Sequence, residues 1–179
     1  MYAIDPHTGA PEHRVIFRVK HIWTLDAFKE NIKNAGIQEF VTPVVDRSEN
    51  VAKTWDLPIS LLWIDGAHAY EAAKLDSDSW FPHLMEGGVI AYHDSTFGGV
   101  RRVVKRYVFF SPHFREVKVV DSITFATKIN PGEQTFFDAF HSRYVYALSG
   151  LYALRHIPLP TFMRAPLKAL FRRIVNFFS

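Results

Sequence analysis

The sequence contains no cysteine, which excludes disulfide bonds, thiolate metal sites and a cysteine nucleophile. The first residues, MYAIDPH, have neither the basic segment nor the apolar segment of a secretory signal. The final apolar stretch is too short and too charged to span a membrane. These absences favour a cytoplasmic protein. With 179 residues, 48% of them hydrophobic, the chain is long enough for one domain with a substantial core.

Acidic residues are absent from residues 151–179, which contain five basic side chains: Arg155, Arg164, Lys168, Arg172 and Arg173. The whole chain has a net charge of +3, so residues 1–150 carry a net charge of −2. Because residues 1–150 have no excess of positive charge with which to bind a phosphate backbone, we expect no nucleic-acid partner.

Hydrophobic patterns alternate between strand-like and helix-like periods along the first 130 residues. The patterns predict strands over residues 2–5, 40–45, 59–64, 88–92, 116–120 and 123–128, and helices over residues 24–35, 48–55 and 100–110. A helix is also expected between the strands at 59–64 and 88–92, which makes that pair parallel. We therefore predict an α/β fold with a doubly wound, mostly parallel sheet over residues 1–130, followed by a helical extension over residues 131–179.

Polar side chains follow two of these strands. Asp65 and His68 come after the strand at 59–64, and His93 and Asp94 follow the strand at 88–92. The carboxyl ends of parallel strands meet at one edge of a sheet, which is where open α/β sheets bind ligands. We therefore expect these four side chains to lie together and to take part in chemistry.

The segment IDGAHAYEAAKLDSDSWFPHLMEGGVIAYHD resembles a segment of class I S-adenosylmethionine-dependent methyltransferases. The resemblance lies in IDG-x-H-x-Y-E, an Asp, a Trp, a Leu, Gly-Gly-Val-Ile and His-Asp in this order. It is strongest to the branch that includes sugar and antibiotic O-methyltransferases and cephalosporin-hydroxylase-like proteins. The resemblance implies a Rossmann-like fold, S-adenosylmethionine as cofactor, and methylation of a hydroxyl on a sugar or small metabolite, with a small-molecule or glycan acceptor as partner.

The resemblance also implies residues that bind the cofactor. Asp5, at the end of the first strand, matches the acid that hydrogen-bonds the ribose hydroxyls, and a solvated turn residue before Pro6 is the alternative. Ser48 and Glu49 match positions on the adenine side, although Ser48 could instead cap its helix. Asp65 matches a further position at the cofactor and acceptor.

Asp65, His93 and Asp94 match positions where metal-dependent members hold a divalent ion against the acceptor hydroxyl. Such an ion lowers the pKa of the hydroxyl. Magnesium prefers oxygen ligands, whereas manganese, iron or zinc accepts an imidazole, so the metal stays open. His68 and His93 are candidate general bases, with His68 preferred, because imidazole accepts protons near neutral pH. Structural hydrogen bonding is the alternative role for each histidine.

The family's first strand and its glycine-rich loop would precede Tyr2, and the sequence has no Gly-x-Gly. We therefore expect an N-terminally truncated sheet. A fragment of a longer polypeptide is the preferred explanation; a segment supplied from elsewhere and a remnant without activity are the alternatives. Two other functions stay open: a non-catalytic interaction module, and a metal-dependent hydroxylase or hydrolase built on the same cluster.

The tail is aromatic and basic. Its last segment, APLKALFRRIVNFFS, places apolar residues largely on one side and Lys168, Arg172 and Arg173 on the other. This pattern is compatible with a helix on an anionic membrane surface, at the inner face of the membrane. Packing on its own domain or on a second subunit of a homo-oligomer is the more frequent use of such a helix.

Overall fold

The structure is a computed structural model that describes residues 1–9, 21–96 and 98–150, together with the single positions 166, 169 and 173, which are helical. The chain divides into two compact units, an N-terminal unit (Met1–Trp55) and a C-terminal unit (Asp56–Ser179). Each unit is described by itself below. The predicted C-terminal helix that contains Lys168 and Arg172 lies, apart from those three positions, outside the described residues.

The described residues form six strands, in chain order β1 (Tyr2–Ile4), β2 (Thr42–Val44), β3 (Ile59–Ile64), β4 (Leu84–Tyr92), β5 (Phe114–Val120) and β6 (Ile123–Lys128). The α-helices are α1 (Leu25–Asn34), α2 (Ser48–Ala52), α3 (Tyr70–Trp80), α4 (Gly98–Val104) and α5 (Phe136–Ser149). Short 3-10 turns occupy Phe81–His83 and Pro131–Glu133. Within the described part of the chain, no helix has both the length and the apolar character needed to cross a membrane.

In the N-terminal unit, β1 and β2 form a parallel two-stranded sheet in which Ala3 pairs with Pro43. The backbone N–H of Asp5 donates to the carbonyl of Val44 and extends this ladder by one residue. Proline lacks an N–H, and Pro43 is tolerated because β2 has a single strand partner among the residues that the structure describes. The strand is shorter than predicted, since Phe40 belongs to a turn in which its N–H donates to the carbonyl of Ile37.

In the C-terminal unit, four strands pair in the order β3-β4-β6-β5. The β3 and β4 strands are parallel and α3 connects them, as predicted, while β6 runs antiparallel to both β4 and β5. The sheet thus has its parallel strands on one side and a closing antiparallel pair on the other. The predicted Rossmann-like α/β fold is confirmed.

The β4 strand begins at Leu84, four residues before the predicted start. Ile59 pairs with Leu84 and Leu61 pairs with Val89, so β4 bulges between these two pairs. Gly87 lies in this bulge at φ +76°, a conformation that glycine adopts at little cost. The bulge explains why the strand continues through a Gly-Gly pair that normally marks a turn.

The core of the C-terminal unit lies between one face of the sheet and the helices. Leu62, Ile64, Ile90 and Tyr92 are buried on that face. The Tyr92 hydroxyl lies 2.8 Å from Oγ of Ser77 on α3, and burial raises the pKa of Tyr92. The helix predicted over residues 100–110 is divided, with α4 followed by a π-helical turn, Lys105–Phe109.

Candidate functional site

Four predicted polar residues lie close together at the carboxyl ends of β3 and β4. Asp65 directly follows β3, His68 lies in the loop that leads to α3, and His93 and Asp94 directly follow β4. The two strands are parallel, so they end at the same edge of the sheet. We call Asp65, His68, His93 and Asp94 the strand-end cluster.

The strand-end cluster consists of two histidines that face two carboxylates. Nε2 of His68 lies 3.2 Å from Oδ2 of Asp94. Nδ1 of His93 lies 3.0 Å from Oδ1 of Asp65 and 3.4 Å from Oδ2 of Asp94. Asp94 therefore contacts both imidazoles, and a change in its charge alters the environment of each.

His93 has a nitrogen that the surrounding chain leaves without a hydrogen bond. Its Nδ1 is buried, and neither carboxylate contact has hydrogen-bond geometry within the described residues. The ring lies against Trp63 with 6.2 Å between the ring centroids. A buried nitrogen that has no hydrogen-bond partner within the protein usually contacts water, an ion or a ligand.

The backbone on both sides of Asp94 is anchored. The N–H of His93 donates to the carbonyl of Ile64 at 3.0 Å, and the N–H of Ser95 donates to the carbonyl of Ser122 at 2.8 Å. Asp94 itself adopts φ +49°, a left-handed conformation that Asp tolerates better than most residues. The turn after β4 therefore fixes the direction in which the Asp94 carboxylate leaves the sheet.

Ser95 is a supporting residue that the sequence did not reveal. Its hydroxyl is buried, lies 2.8 Å from the Ser122 carbonyl and lies 2.7 Å from Oγ1 of Thr124 on β6. These bonds attach the turn that carries Asp94 to the neighbouring strand. A serine after His-Asp is also a common turn residue, so the sequence gives no sign of this connection.

The loop between β3 and α3, called the His68 loop, packs closely against α4. A Cβ atom added to Gly99 would lie 2.5 Å from the carbonyl oxygen of His68 and even closer to the backbone nitrogen of Tyr70. The guanidinium of Arg102 lies 4.4 Å from the centroid of the Tyr70 ring. The first turn of α4 thus packs directly against the loop, and Gly99 is needed for this close approach.

The predicted cofactor residues Asp5, Ser48 and Glu49 belong to the N-terminal unit. Asp5 is exposed at the end of β1, and its Oδ1 accepts a 2.5 Å hydrogen bond from the N–H of His7. This is the turn geometry of the alternative role, and it uses one of the two carboxylate oxygens. The ribose role of Asp5 stays a prediction.

Ser48 is the first residue of α2, and Arg47 occupies the N-cap position. Helix capping by Ser48 is therefore not observed. Glu49 forms an ion pair with Arg47 in which Oε1 and Nη1 are 3.4 Å apart. Asp46, which the sequence analysis did not select, accepts hydrogen bonds from the Asn50 side chain and the Arg47 backbone, and these bonds lower the pKa of Asp46.

The predicted metal ligands Asp65, His93 and Asp94 are close to one another, but they do not form a metal site. Among the residues that the structure describes, no group of three or more His, Asp or Glu side chains is arranged to hold an ion. The carboxylates face the histidines instead. A fit between these residues and a divalent metal is therefore not supported by their geometry.

Solved structures with similar folds include those of two proteins. The O-methyltransferase NovP matches with a TM-score of 0.60 and 14% sequence identity, over 72% of this chain and 60% of that one. A protein from Corynebacterium glutamicum matches with a TM-score of 0.50 and 18% identity, over the same two shares. At such identities the likeness concerns the fold alone. The chain spans about 60% of the length of each of these two structures.

A family model described as a methyltransferase domain matches residues 1–95, which is more than half of the 179 residues. The matched range begins before β1 and ends directly after the strand-end cluster. It includes Asp5, Ser48, Glu49, Asp65, His68, His93 and Asp94. The chain belongs to this family of methyltransferase domains.

Proposed function

We propose that the protein is an S-adenosylmethionine-dependent O-methyltransferase whose acceptor is a hydroxyl of a sugar or another small metabolite. The observation that carries the proposal is the strand-end cluster, in which two histidines contact two aspartates at the carboxyl ends of parallel strands. Family membership supports methyl transfer in general. The fold neighbour NovP is named as an O-methyltransferase, which favours oxygen as the methylated atom.

In the proposed reaction, His68 is the general base. Its Nε2 faces Oδ2 of Asp94, so an N–H at Nε2 would point to the carboxylate and Nδ1 would accept the proton of the acceptor hydroxyl. Asp94 would then stabilise the imidazolium and hold the ring in this tautomer, as the acid does in other histidine–aspartate pairs.

When bound, S-adenosylmethionine would supply an electrophilic methyl group, with its thioether as the leaving group. Nδ1 of His68 would take up the proton that the acceptor hydroxyl releases as its oxygen is methylated. The protein would accelerate the reaction mainly by aligning two bound reactants, an effect that reaches many orders of magnitude in well-oriented systems. Base catalysis contributes about 10²–10⁴-fold.

The contacts with the cofactor are assigned to the residues that the sequence analysis selected. The second carboxylate oxygen of Asp5 would accept hydrogen bonds from the ribose hydroxyls, and Ser48 and Glu49 would contact the adenine side. Asp65 would place a negative charge beside His93, whose Nδ1 lies 3.0 Å from its Oδ1. No step is assigned to a metal.

The proposal is tested by methyl transfer from S-adenosylmethionine labelled in its methyl group. The purified protein is incubated with panels of nucleotide sugars, glycans and small phenols, with and without manganese or magnesium. We expect label in an acceptor, and we expect Asp94→Ala to abolish it while Asp56→Ala, a change at an exposed acid outside the cluster, retains it. Label transfer that Asp94→Ala leaves unchanged would exclude the cluster as the catalytic site.

A further inference from the structure

Helix α5 has two unlike faces: one is packed against the described residues of the C-terminal unit, and the other is exposed. Ser142, Val145 and Ser149 are buried against the rest of the C-terminal unit. Oγ of Ser142 donates to the carbonyl of Phe109 at 2.8 Å, and Oγ of Ser149 accepts from Nη1 of Arg101 at 3.1 Å. The packed face also includes Tyr146, whose ring centroid lies 5.2 Å from that of Phe109 and 5.4 Å from that of Phe110. The other four Phe and Tyr side chains of the helix lie on the opposite face.

The outward face of α5 consists of aromatic rings. Phe136, Phe137, Phe140 and Tyr144 are 78%, 79%, 60% and 38% exposed. Phe136 stacks with Phe140 and Phe140 stacks with Tyr144, each at 6.5 Å between centroids. We call these four residues the aromatic ridge. A helix on the surface of a soluble domain normally presents polar side chains on this face, so a continuous row of rings indicates an interaction surface.

One basic side chain belongs to α5 and further basic residues follow the helix in sequence. Arg143 is exposed, and its guanidinium lies 5.8 Å from the ring centroid of Phe110, which is itself 48% exposed. Asp138 is the one acidic residue of α5, and its carboxylate accepts hydrogen bonds from the backbone and hydroxyl of Thr135. The chain that follows α5 contains five basic residues and no acidic residue over 151–179.

We propose that the aromatic ridge docks on the surface of an anionic lipid bilayer. Aromatic rings favour the boundary between headgroups and acyl chains, and neighbouring basic residues attract anionic headgroups. The combination of an apolar row and a flanking cationic segment is that of interfacial helices.

The absence of cysteine provides a direct test, since a single introduced cysteine is the only labelling site. Phe140→Cys carries an environment-sensitive nitrobenzoxadiazole dye on the aromatic ridge. Phe40→Cys is the control. It carries the same dye in the N-terminal unit, at an aromatic position that is 71% exposed. Each labelled full-length protein is mixed with vesicles of phosphatidylcholine alone and with vesicles that also contain phosphatidylglycerol, at low and high salt.

The proposal predicts a blue shift and a rise in emission at position 140 with anionic vesicles, little change with phosphatidylcholine alone, and no change at position 40. High salt should weaken the response. In co-sedimentation, the unlabelled triple variant Phe136→Ser, Phe137→Ser, Phe140→Ser should bind anionic vesicles about tenfold or more weakly than the native chain. Circular dichroism checks that the triple variant is folded. If it is not, the dye measurement at position 140 still tests the proposal, because it does not use the triple variant.

Three results would overturn the proposal. One is an emission at position 140 that anionic vesicles do not change. Another is an equal response at position 40, which would indicate unspecific adsorption. The third is a dye at position 140 that is already protected from iodide quenching without vesicles, which would mean that the ridge is covered by its own chain or by a second copy; the mass in light scattering distinguishes these two.

Discussion

Nε2 of His68 lies 3.2 Å from Oδ2 of Asp94, and the two residues come from different loops at the ends of β3 and β4. The contact depends on both loops, since the turn that carries Asp94 is attached to β6 through Ser95 and the loop that carries His68 packs on Gly99. In the proposed reaction this pair is the proton acceptor together with the group that orients it.

If His68 and Asp94 act as a unit, their substitutions should not be additive. We expect His68→Ala and Asp94→Ala each to lower turnover by about 10²–10⁴-fold. The double variant should be little worse than the poorer single variant, because the second change removes a group that has lost its partner. The measurement is the rate of labelled methyl transfer for the four members of this cycle.

The matched control for this cycle is Asp56→Ala, whose exposed carboxylate lies outside the strand-end cluster and which should keep the native rate. Cofactor affinity should stay within a few-fold of native in both single variants. Fully additive losses would show that His68 and Asp94 act independently.

Ser95→Ala should destabilise the protein by about 1–3 kcal/mol, because it removes a hydrogen bond to the carbonyl of Ser122 and leaves the buried hydroxyl of Thr124 with one partner fewer. It should also lower turnover, since the direction of Asp94 is no longer fixed. Urea unfolding gives the stability and methyl transfer gives the rate. Ser60→Ala, at an exposed position of β3, is the control and should change neither quantity.

Gly99→Ala should displace the His68 loop. The new methyl group would meet the backbone of His68 and Tyr70, and backbone atoms cannot rotate away as a side chain can. We expect a loss of about 1–3 kcal/mol in the free energy of unfolding, as for other overpacked sites. Gly132→Ala is the matched control, because an added Cβ there meets nothing within 4 Å. Equal stability of the two variants would refute the close approach of α4.

The capping box at the start of α5 predicts a pH dependence. The hydrogen bond from the Thr135 side chain, with that from its backbone N–H, lowers the pKa of Asp138. A lowered pKa in the folded state stabilises the fold above the unfolded value of about 4, and this contribution is lost as the pH falls through the folded value. Asp138→Asn should remove this part of the acid sensitivity.

Thr135→Ala should cost about 1 kcal/mol, the usual effect of losing an N-cap side chain. Hydrogen exchange of the first turn of α5, measured at neutral and acidic pH, tests both changes. Protection that stays the same in Thr135→Ala would mean that packing alone holds the helix.

Sequence patterns predicted most of the fold because local periodicity and burial agree in this chain. Strands β3 and β6 have the predicted bounds, and α1 begins one residue after its predicted start. The extension of β4 to Leu84 was missed, since Gly87 and Gly88 are turn residues by local preference. The strand continues across them because Leu84 pairs with Ile59 and Val89 pairs with Leu61.

The strand-end cluster was found because parallel strands bring their carboxyl ends together, a rule that needs no side-chain detail. The residues that hold the cluster in place were not predicted. Ser95 and Gly99 act through contacts with β6 and with the His68 loop, which are distant in sequence. The helical spacing of Phe136, Phe140 and Tyr144 likewise predicted a helix, but only the packing of Ser142 and Val145 determines that the rings face outward.

Calorimetric titration of S-adenosylmethionine into the purified 179-residue chain measures whether this protein binds the proposed cofactor. We predict saturable binding at one site, weakened about tenfold or more by Asp5→Ala, since hydrogen bonds to a charged group contribute about 1.5–3 kcal/mol. Asp56→Ala should bind as the native chain does. A folded protein that shows no saturable binding would refute the use of S-adenosylmethionine by this chain, and an affinity that Asp5→Ala leaves unchanged would refute the ribose role of Asp5.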